Sequence, residues 1–214
     1  VIDGRLRNAF SDAYNPRLIS HRRLIKATSA NLFLRWLYEK FPGMPIVMVI
    51  RHPCAVAASR MTRKWNVGMR GWLLEQPDLI EDHLDPYMDE ILKAETDFQK
   101  QILVWCIQYH VVFRQFKSDE IHISFYEDYC LDPRRHVPEL FNDLNLDCPE
   151  ALFESIDVPS SSSADLDLEA DHPVSRWKKQ LSTDDIDEAL RLLQLFGLDH
   201  LYSDSPRPRP DALT

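Results

Sequence analysis

Glycine is scarce in this chain. Its 214 residues include five, and none forms a G-x-G-x-x-G or G-x-x-x-x-G-K-[ST] pattern. That argues against a dinucleotide fingerprint and against the phosphate-cradling loop of nucleotide kinases. The four cysteines, Cys54, Cys106, Cys130 and Cys148, make no C-x-x-C pair. Neither a zinc site nor a disulfide framework is expected from them, and scattered thiols of this kind suit the cytoplasm. No apolar run approaches the ~18 residues that a bilayer-spanning helix needs. Residues 1–20 lack the charged-then-apolar order of a secretory leader. A G-x-S-x-G nucleophile elbow is absent too. Cations are outnumbered: 25 Lys and Arg against 34 Asp and Glu leave a net charge of -9, which disfavours a general nucleic-acid binder.

What is present suits one soluble, globular domain over residues 1–214. Apolar residues make up 44% of the chain and there are five tryptophans, enough for a sizeable core at this length. The charges are unevenly spread. From Arg51 to Leu74 lie five cations (Arg51, Arg60, Arg63, Lys64 and Arg70) and no carboxylate, whereas from Glu75 to Asp97 lie nine carboxylates and one lysine. A basic island in an acidic protein is a specific place for an anion.

Hydrophobic spacing orders the elements. A short strand is expected at Arg23–Lys26. Ser29 is placed to cap a helix to about Lys40, with Leu32, Phe33, Trp36, Leu37 and Phe41 at helical spacing and Pro42-Gly43 as its stop. The run from Ile46 to Ile50 is short, apolar and rich in β-branched residues. It predicts a strand buried on both faces, as in a parallel sheet. Arg51-His52-Pro53 turns into an Ala-rich helix with Pro53 at its first position. Residues 75–97 form an acidic excursion of short helices and loops. A long helix is expected from Asp97 to about Phe116, with Ile102, Trp105, Tyr109, Val112 and Phe116 on one broad face. Ile121 to Phe125 reads as a second strand, and Asp132 caps a helix begun by Pro133. From its Ser- and Asp-rich composition, residues 159–176 are expected to be a long mobile loop. Ser182 or Thr183 caps the last helix, and Gly197 closes it. The Pro/Arg tail from Pro206 is expected to be loose. The order strand, helix, strand, helix implies α/β architecture.

The chemistry gathers where the strand at Ile46–Ile50 ends. Ligands of open α/β sheets bind beyond the carboxyl ends of strands. A helix N-terminus there offers N–H groups and a positive dipole end to a phosphate. Arg51 can add a bidentate clamp. Ser59 and Arg63 are four apart, so they share one face of the following helix. The same spacing also fits a surface arginine at a strand end above a helix that merely covers the sheet.

In its wider setting this stretch resembles the PAPS-dependent sulfotransferase superfamily, PAPS being 3′-phosphoadenosine 5′-phosphosulfate. Leu24-Ile25-Lys26-Ala27-Thr28, then Phe41-Pro42-Gly43, then Val49-Ile50-Arg51-His52-Pro53 through Ala57-Ala58-Ser59, look like its 3′-phosphate-binding region. The lysine-bearing segment, and Arg63 four residues beyond Ser59, are most similar to the tyrosylprotein sulfotransferase branch and its bacterial relatives. Ile123-Ser124-Phe125-Tyr126-Glu127-Asp128-Tyr129 with Asp132-Pro133 resembles the family's "YEDL…DP" segment. Trp177-Lys178-Lys179-Gln180-Leu181-Ser182 resembles its late "W…LS" segment. The similar motifs span roughly residues 22–202.

The resemblance implies a P-loop-NTPase-like three-layer sandwich with a central parallel sheet flanked by helices. It implies PAPS as co-substrate, adenosine 3′,5′-bisphosphate as product, and no metal. Arg51, Ser59 and Arg63 would bind the donor's 3′-phosphate, and Tyr126 would approach the nucleotide. Lys26 would be the catalytic cation; position alone also fits a solvated lysine. One serine of Ser160–Ser163, with Ser161 as the representative, would reach the leaving oxygen, although four serines in a row equally read as a linker.

Two departures stand out. His52 occupies the place where many members have Asp. Nothing before residue 22 resembles the family's "RSGTT" loop for the 5′-phosphosulfate or the glutamate base that follows it. Together with Val1 in place of Met, this leads to the expectation of an N-terminally incomplete domain. The acceptor is expected to be a hydroxyl or amine on a small molecule, glycan or peptide, and a homodimer is compatible. The alternatives are a non-catalytic binding protein of the same fold and a nucleotide-dependent phosphotransferase.

Overall fold

The structure, a computed structural model, describes residues 24–65, 69, 73–155 and 173–213. The chain divides into two compact units, Val1–Ala30 and Asn31–Thr214. In the first unit, residues 24–27 have no regular structure, and Leu24 and Ile25 are exposed. The strand expected at Arg23–Lys26 is therefore not formed over its described part. An apolar pair left in solvent has no ladder partner to reward an extended backbone.

The second unit opens with a 3-10 turn, Asn31–Phe33, that runs into α1, Leu34–Lys40. Ser29 is not its cap: Phe33 holds that place without a side-chain hydrogen bond. Strand β1, Val47–Ile50, and helix α2, Pro53–Thr62, follow. The acidic stretch folds as a chain of short turns: Pro77–Leu79, a π turn at Ile80–Leu84, a 3-10 turn at Asp85–Tyr87, and α3, Met88–Lys93. Then come α4, Asp97–Gln115, β2, His122–Phe125, α5, Tyr126–Leu131, and α6, Pro133–Asp143. Last are α7, Trp177–Gln180, and α8, Thr183–Leu195.

The two strands pair in parallel, from Val47 with His122 to Ile50 with Phe125. The mixture of a small parallel sheet and mostly helices agrees with the expected α/β class. One detail differs. Met48 and Ile50 are buried, but Val49 between them is 46% exposed, so β1 is covered on one face. Its continuous apolar run hid the alternation, because valine and isoleucine suit either face of a pleated strand.

Helix α4 is the centre of the core. Thr96 and Gln99 form a capping box at its start. Phe98 and every residue from Gln101 to Val112 are buried, which covers all sides of the helix and not the single broad face its periodicity predicted. Polar members of that run carry their own partners. Gln101 accepts from Arg60 and donates to the Trp65 carbonyl, and His110 Nδ1 lies 3.1 Å from the Phe196 carbonyl oxygen. Helix α2 packs on α4 through small alanines, and α8 packs on α4 as well.

Ser182 caps α8 with Asp185 in a reciprocal pair. The helix ends as expected at Gly197, which sits at φ +69°. Its N–H donates to the Gln194 carbonyl and the Leu198 N–H to the Leu193 carbonyl, the two bonds of a Schellman stop. A Cβ added at Gly197 would meet nothing within 4 Å. Gly197→Ala is therefore expected to cost about 1 kcal/mol from backbone strain alone, and Gly197→Asn less. Urea unfolding of the two variants checks this.

The tail is not loose. Tyr202 bridges to Pro208, the Arg209 N–H donates to the Leu201 carbonyl, and Ala212 is buried. These contacts tie the segment back onto Leu201 and Tyr202, so composition misled. Among the described residues, no helix is long and apolar enough to cross a membrane.

Candidate functional site

The exit of β1 is pinned from three directions. The Trp105 indole N–H, from α4, donates to the Arg51 carbonyl at 2.9 Å. The His52 N–H donates to Glu127 Oε1 at 2.9 Å. The Arg51 guanidinium carbon lies 4.5 Å from the centre of the Tyr126 ring, a cation–π distance. Tyr126 is the first residue of α5, directly after β2, so the sheet itself brings Arg51 and Tyr126 together.

Arg51 is unusual in what it lacks. Its Nε is buried and has no hydrogen-bond partner, and the side chain enters no ion pair among the described residues. A guanidinium with an orphaned buried N–H is costly unless an acceptor arrives. Glu127 is near enough for Arg51 to pull its pKa down, yet burial is the dominant influence and holds that pKa above the usual carboxylate range. Both Glu127 oxygens are committed: Oε1 to His52 and Oε2 to the Tyr202 hydroxyl, which donates at 2.8 Å. Tyr126 is pushed up to about 12, by burial first and then by its bond with Cys130. It stays a neutral phenol under the cation.

Ser59 on α2 and Arg63, the residue at its C-cap, meet as the four-residue spacing predicts. Arg63 Nη1 donates to the Ser59 carbonyl at 3.2 Å and also contacts its hydroxyl. The guanidinium carbon of Arg63 lies 5.9 Å from the Trp65 ring. Val56, Ser59 and Arg60 form a part-buried stripe of α2 that Arg63, just past its end, continues, while Cys54, Ala55, Ala57 and Ala58 are buried. A hydroxyl and a guanidinium thus share one partly open face.

The helix N-terminus is not the open anion seat that the sequence pattern suggested. His52 Nδ1 accepts from the Cys54 N–H at 3.2 Å, and the Val56 N–H closes on the His52 carbonyl. Pro53 has no N–H to offer. His52 is itself fully buried, stacked on Trp177 at 4.3 Å with Nε2 3.0 Å from the Ser203 carbonyl oxygen. The residue that departs from the family pattern is the cap.

These bonds require the neutral ring, with Nε2 protonated and Nδ1 free to accept. Burial lowers the His52 pKa from 6.5 to about 4. A histidine depressed in the folded state contributes its full stability above pH 6.5 and loses it as pH falls toward 4, because the unfolded chain takes the proton first. The difference between 6.5 and about 4 amounts to roughly 3 kcal/mol. Urea midpoints of the wild type should fall over that window relative to His52→Asn; parallel curves would contradict it.

Two residues of this site escaped the sequence reading. Glu127 sits within the segment that resembles the family's "YEDL" motif, where the resemblance implies no role for it, and Tyr202 stands at the edge of the resemblance. Only their being the two ends of one buried bond identifies them, and 75 positions separate them in the chain. Lys26 is exposed and belongs to the unit Val1–Ala30. Ser161 and its neighbours lie outside the described residues. Among those described, no group of three or more His, Cys, Asp or Glu could hold a metal ion.

A family model described as "Sulfotransferase family" matches residues 1–150. The matched span contains Lys26, Arg51, Ser59, Arg63, Tyr126 and Glu127; Trp177 and Tyr202 lie beyond it. No curated protein and no solved structure matches the chain.

Proposed function

The chain belongs to the sulfotransferase family, and from that premise we propose that it moves a sulfuryl group from PAPS to a hydroxyl or amine acceptor. Arg51, Ser59 and Arg63 bind the donor's 3′-phosphate in this reading. The observation that carries it is the state of Arg51. It is a cation at the carboxyl end of a parallel strand, it has no carboxylate partner among the described residues, and its buried Nε wants an acceptor. A phosphate dianion supplies both needs through charge-assisted hydrogen bonds. The Ser59 hydroxyl and the Arg63 guanidinium supply further donors to the same phosphate. Tyr126, neutral and half-buried, offers an aromatic edge beside the nucleotide.

Sulfuryl transfer is an in-line displacement. A lone pair of the acceptor forms a bond to sulfur as the bond from sulfur to the bridging oxygen breaks. The acceptor loses its proton, and adenosine 3′,5′-bisphosphate leaves with the bridging electrons. Negative charge builds on that oxygen, so a cation aimed there lowers the barrier more than it tightens ground-state binding. Lys26 has this role in the proposal, with a serine of Ser160–Ser163, Ser161 as representative, as a second donor. The β1–β2 pair then belongs to the central sheet of a P-loop-like three-layer sandwich.

Titration calorimetry with adenosine 3′,5′-bisphosphate tests the donor site. Binding in the micromolar range, and weaker binding of adenosine 5′-phosphate, are expected. The absence of heat and of chemical-shift change would sink the proposal. Transfer of labelled sulfate from PAPS to a panel of hydroxyl and amine acceptors tests the chemistry.

A further inference from the structure

The parallel ladder of the sheet ends one step short of the site. Its last pair is Ile50 with Phe125. The next pair would be Arg51 with Tyr126, but the chain turns into α5 at Tyr126, so the backbone no longer extends the register. A side chain takes over. Glu127 Oε1 receives the His52 N–H, and this bond joins the residue after Arg51 to the residue after Tyr126.

That solution carries a hazard. It places a buried carboxylate beside an arginine that must stay open for an anion. A carboxylate oxygen left free next to a guanidinium forms a charge-assisted hydrogen bond with it. Such a bond would occupy Arg51 before any phosphate arrived. What prevents it is the second oxygen's partner. Tyr202, fully buried, donates its hydroxyl to Glu127 Oε2 at 2.8 Å. Its ring is fixed by edge contacts with His52 at 4.8 Å and Phe125 at 5.7 Å. The tail beyond it folds back and bonds to Leu201 and Tyr202, so the hydroxyl has little freedom to leave.

We propose that Tyr202 is a positioning residue whose hydroxyl holds the Glu127 carboxylate away from Arg51 and so keeps that guanidinium open for the donor's 3′-phosphate. The inference rests on the donor-site reading above and adds to it a residue outside the family-matched span 1–150. It explains how the site keeps a cation unpaired next to a buried acid. It also gives the packed C-terminal segment a purpose that stability alone would not require.

The test uses the 214-residue chain and two ligands, adenosine 3′,5′-bisphosphate and adenosine 5′-phosphate, which differ only in the 3′-phosphate. Tyr202→Phe frees Glu127 Oε2 and should weaken the bisphosphate about tenfold, the scale of one charge-assisted bond, while the 5′-phosphate binds as before. Adding Glu127→Gln to Tyr202→Phe removes the competing charge and should restore the bisphosphate to within about twofold. A purely structural Tyr202 predicts the reverse, with the double variant weaker than either single one. Undiminished bisphosphate affinity in Tyr202→Phe, or no rescue by Glu127→Gln, overturns the inference. Should Tyr202→Phe fail to fold, Glu127→Gln alone decides, since it keeps an acceptor for His52. Wild-type affinity supports the inference, and a tenfold loss overturns it by making the charge an aid to the ligand. If instead the wild type does not prefer the bisphosphate, or Arg51→Ala leaves the preference intact, the donor-site reading itself fails.

Discussion

Replacing Arg51 with alanine should weaken adenosine 3′,5′-bisphosphate binding by about a hundredfold or more. Two charge-assisted hydrogen bonds to a phosphate are worth roughly 3 kcal/mol together, and tenfold in affinity corresponds to about 1.4 kcal/mol. The fold should survive, because among the described residues the Arg51 side chain enters no ion pair and it lies over the Tyr126 ring. Arg51→Lys keeps the charge and loses the fork, so it should fall between the two, about tenfold weaker than wild type. Calorimetric titration with a thermal melt as control measures both. Equal affinity in Arg51→Ala and wild type would move the anion site elsewhere in the protein.

Trp105→Ala should cost about 3–5 kcal/mol of folding stability, the range for emptying a buried aromatic site. Trp105 is 2% exposed, at the centre of α4, with Tyr109 at 4.5 Å and Tyr202 at 6.3 Å. The loss should reach the site as well, because the Arg51 carbonyl is left without its donor. Trp105→Phe separates the two effects. It keeps most of the volume, removes the hydrogen bond at a cost of about 1–2 kcal/mol, and should loosen bisphosphate binding beyond what its stability predicts. Urea unfolding gives the first quantity and ligand titration the second. A Trp105→Phe protein as stable as the wild type would contradict the role assigned to the indole N–H.

Local signals carried the sequence analysis a long way where they were short in range. Pro53 at the first turn of α2, Asp132 before Pro133, Ser182 before α8 and Gly197 after it are each decided by the few residues around them, and each stands where expected. The four-residue spacing of Ser59 and Arg63 is a property of any helix, so their meeting was legible too. Errors arose where a segment's neighbours decide its state. Ser29 has the right side chain for a cap, but the 3-10 turn at Asn31–Phe33 takes over the start of α1. The Pro/Arg tail has a loose composition, yet Tyr202 and Ala212 are buried. Burial all round α4 could not be read from its periodicity, because Gln101, Gln108 and His110 look like solvent-facing residues until their partners are known.

The sequence by itself determined the family, the strand-arginine-helix order at the candidate site, and the spacing that brings Ser59 and Arg63 together. Those follow from chemistry carried by consecutive or helically spaced residues. Only the tertiary structure decided that His52 closes the helix N-terminus, that Arg51 lies over Tyr126 with an orphaned N–H, and that Tyr202 holds Glu127. The physical reason is distance along the chain. Bonds that join residues 75 to 151 positions apart exist only once the core has brought their elements together, and no local propensity encodes them.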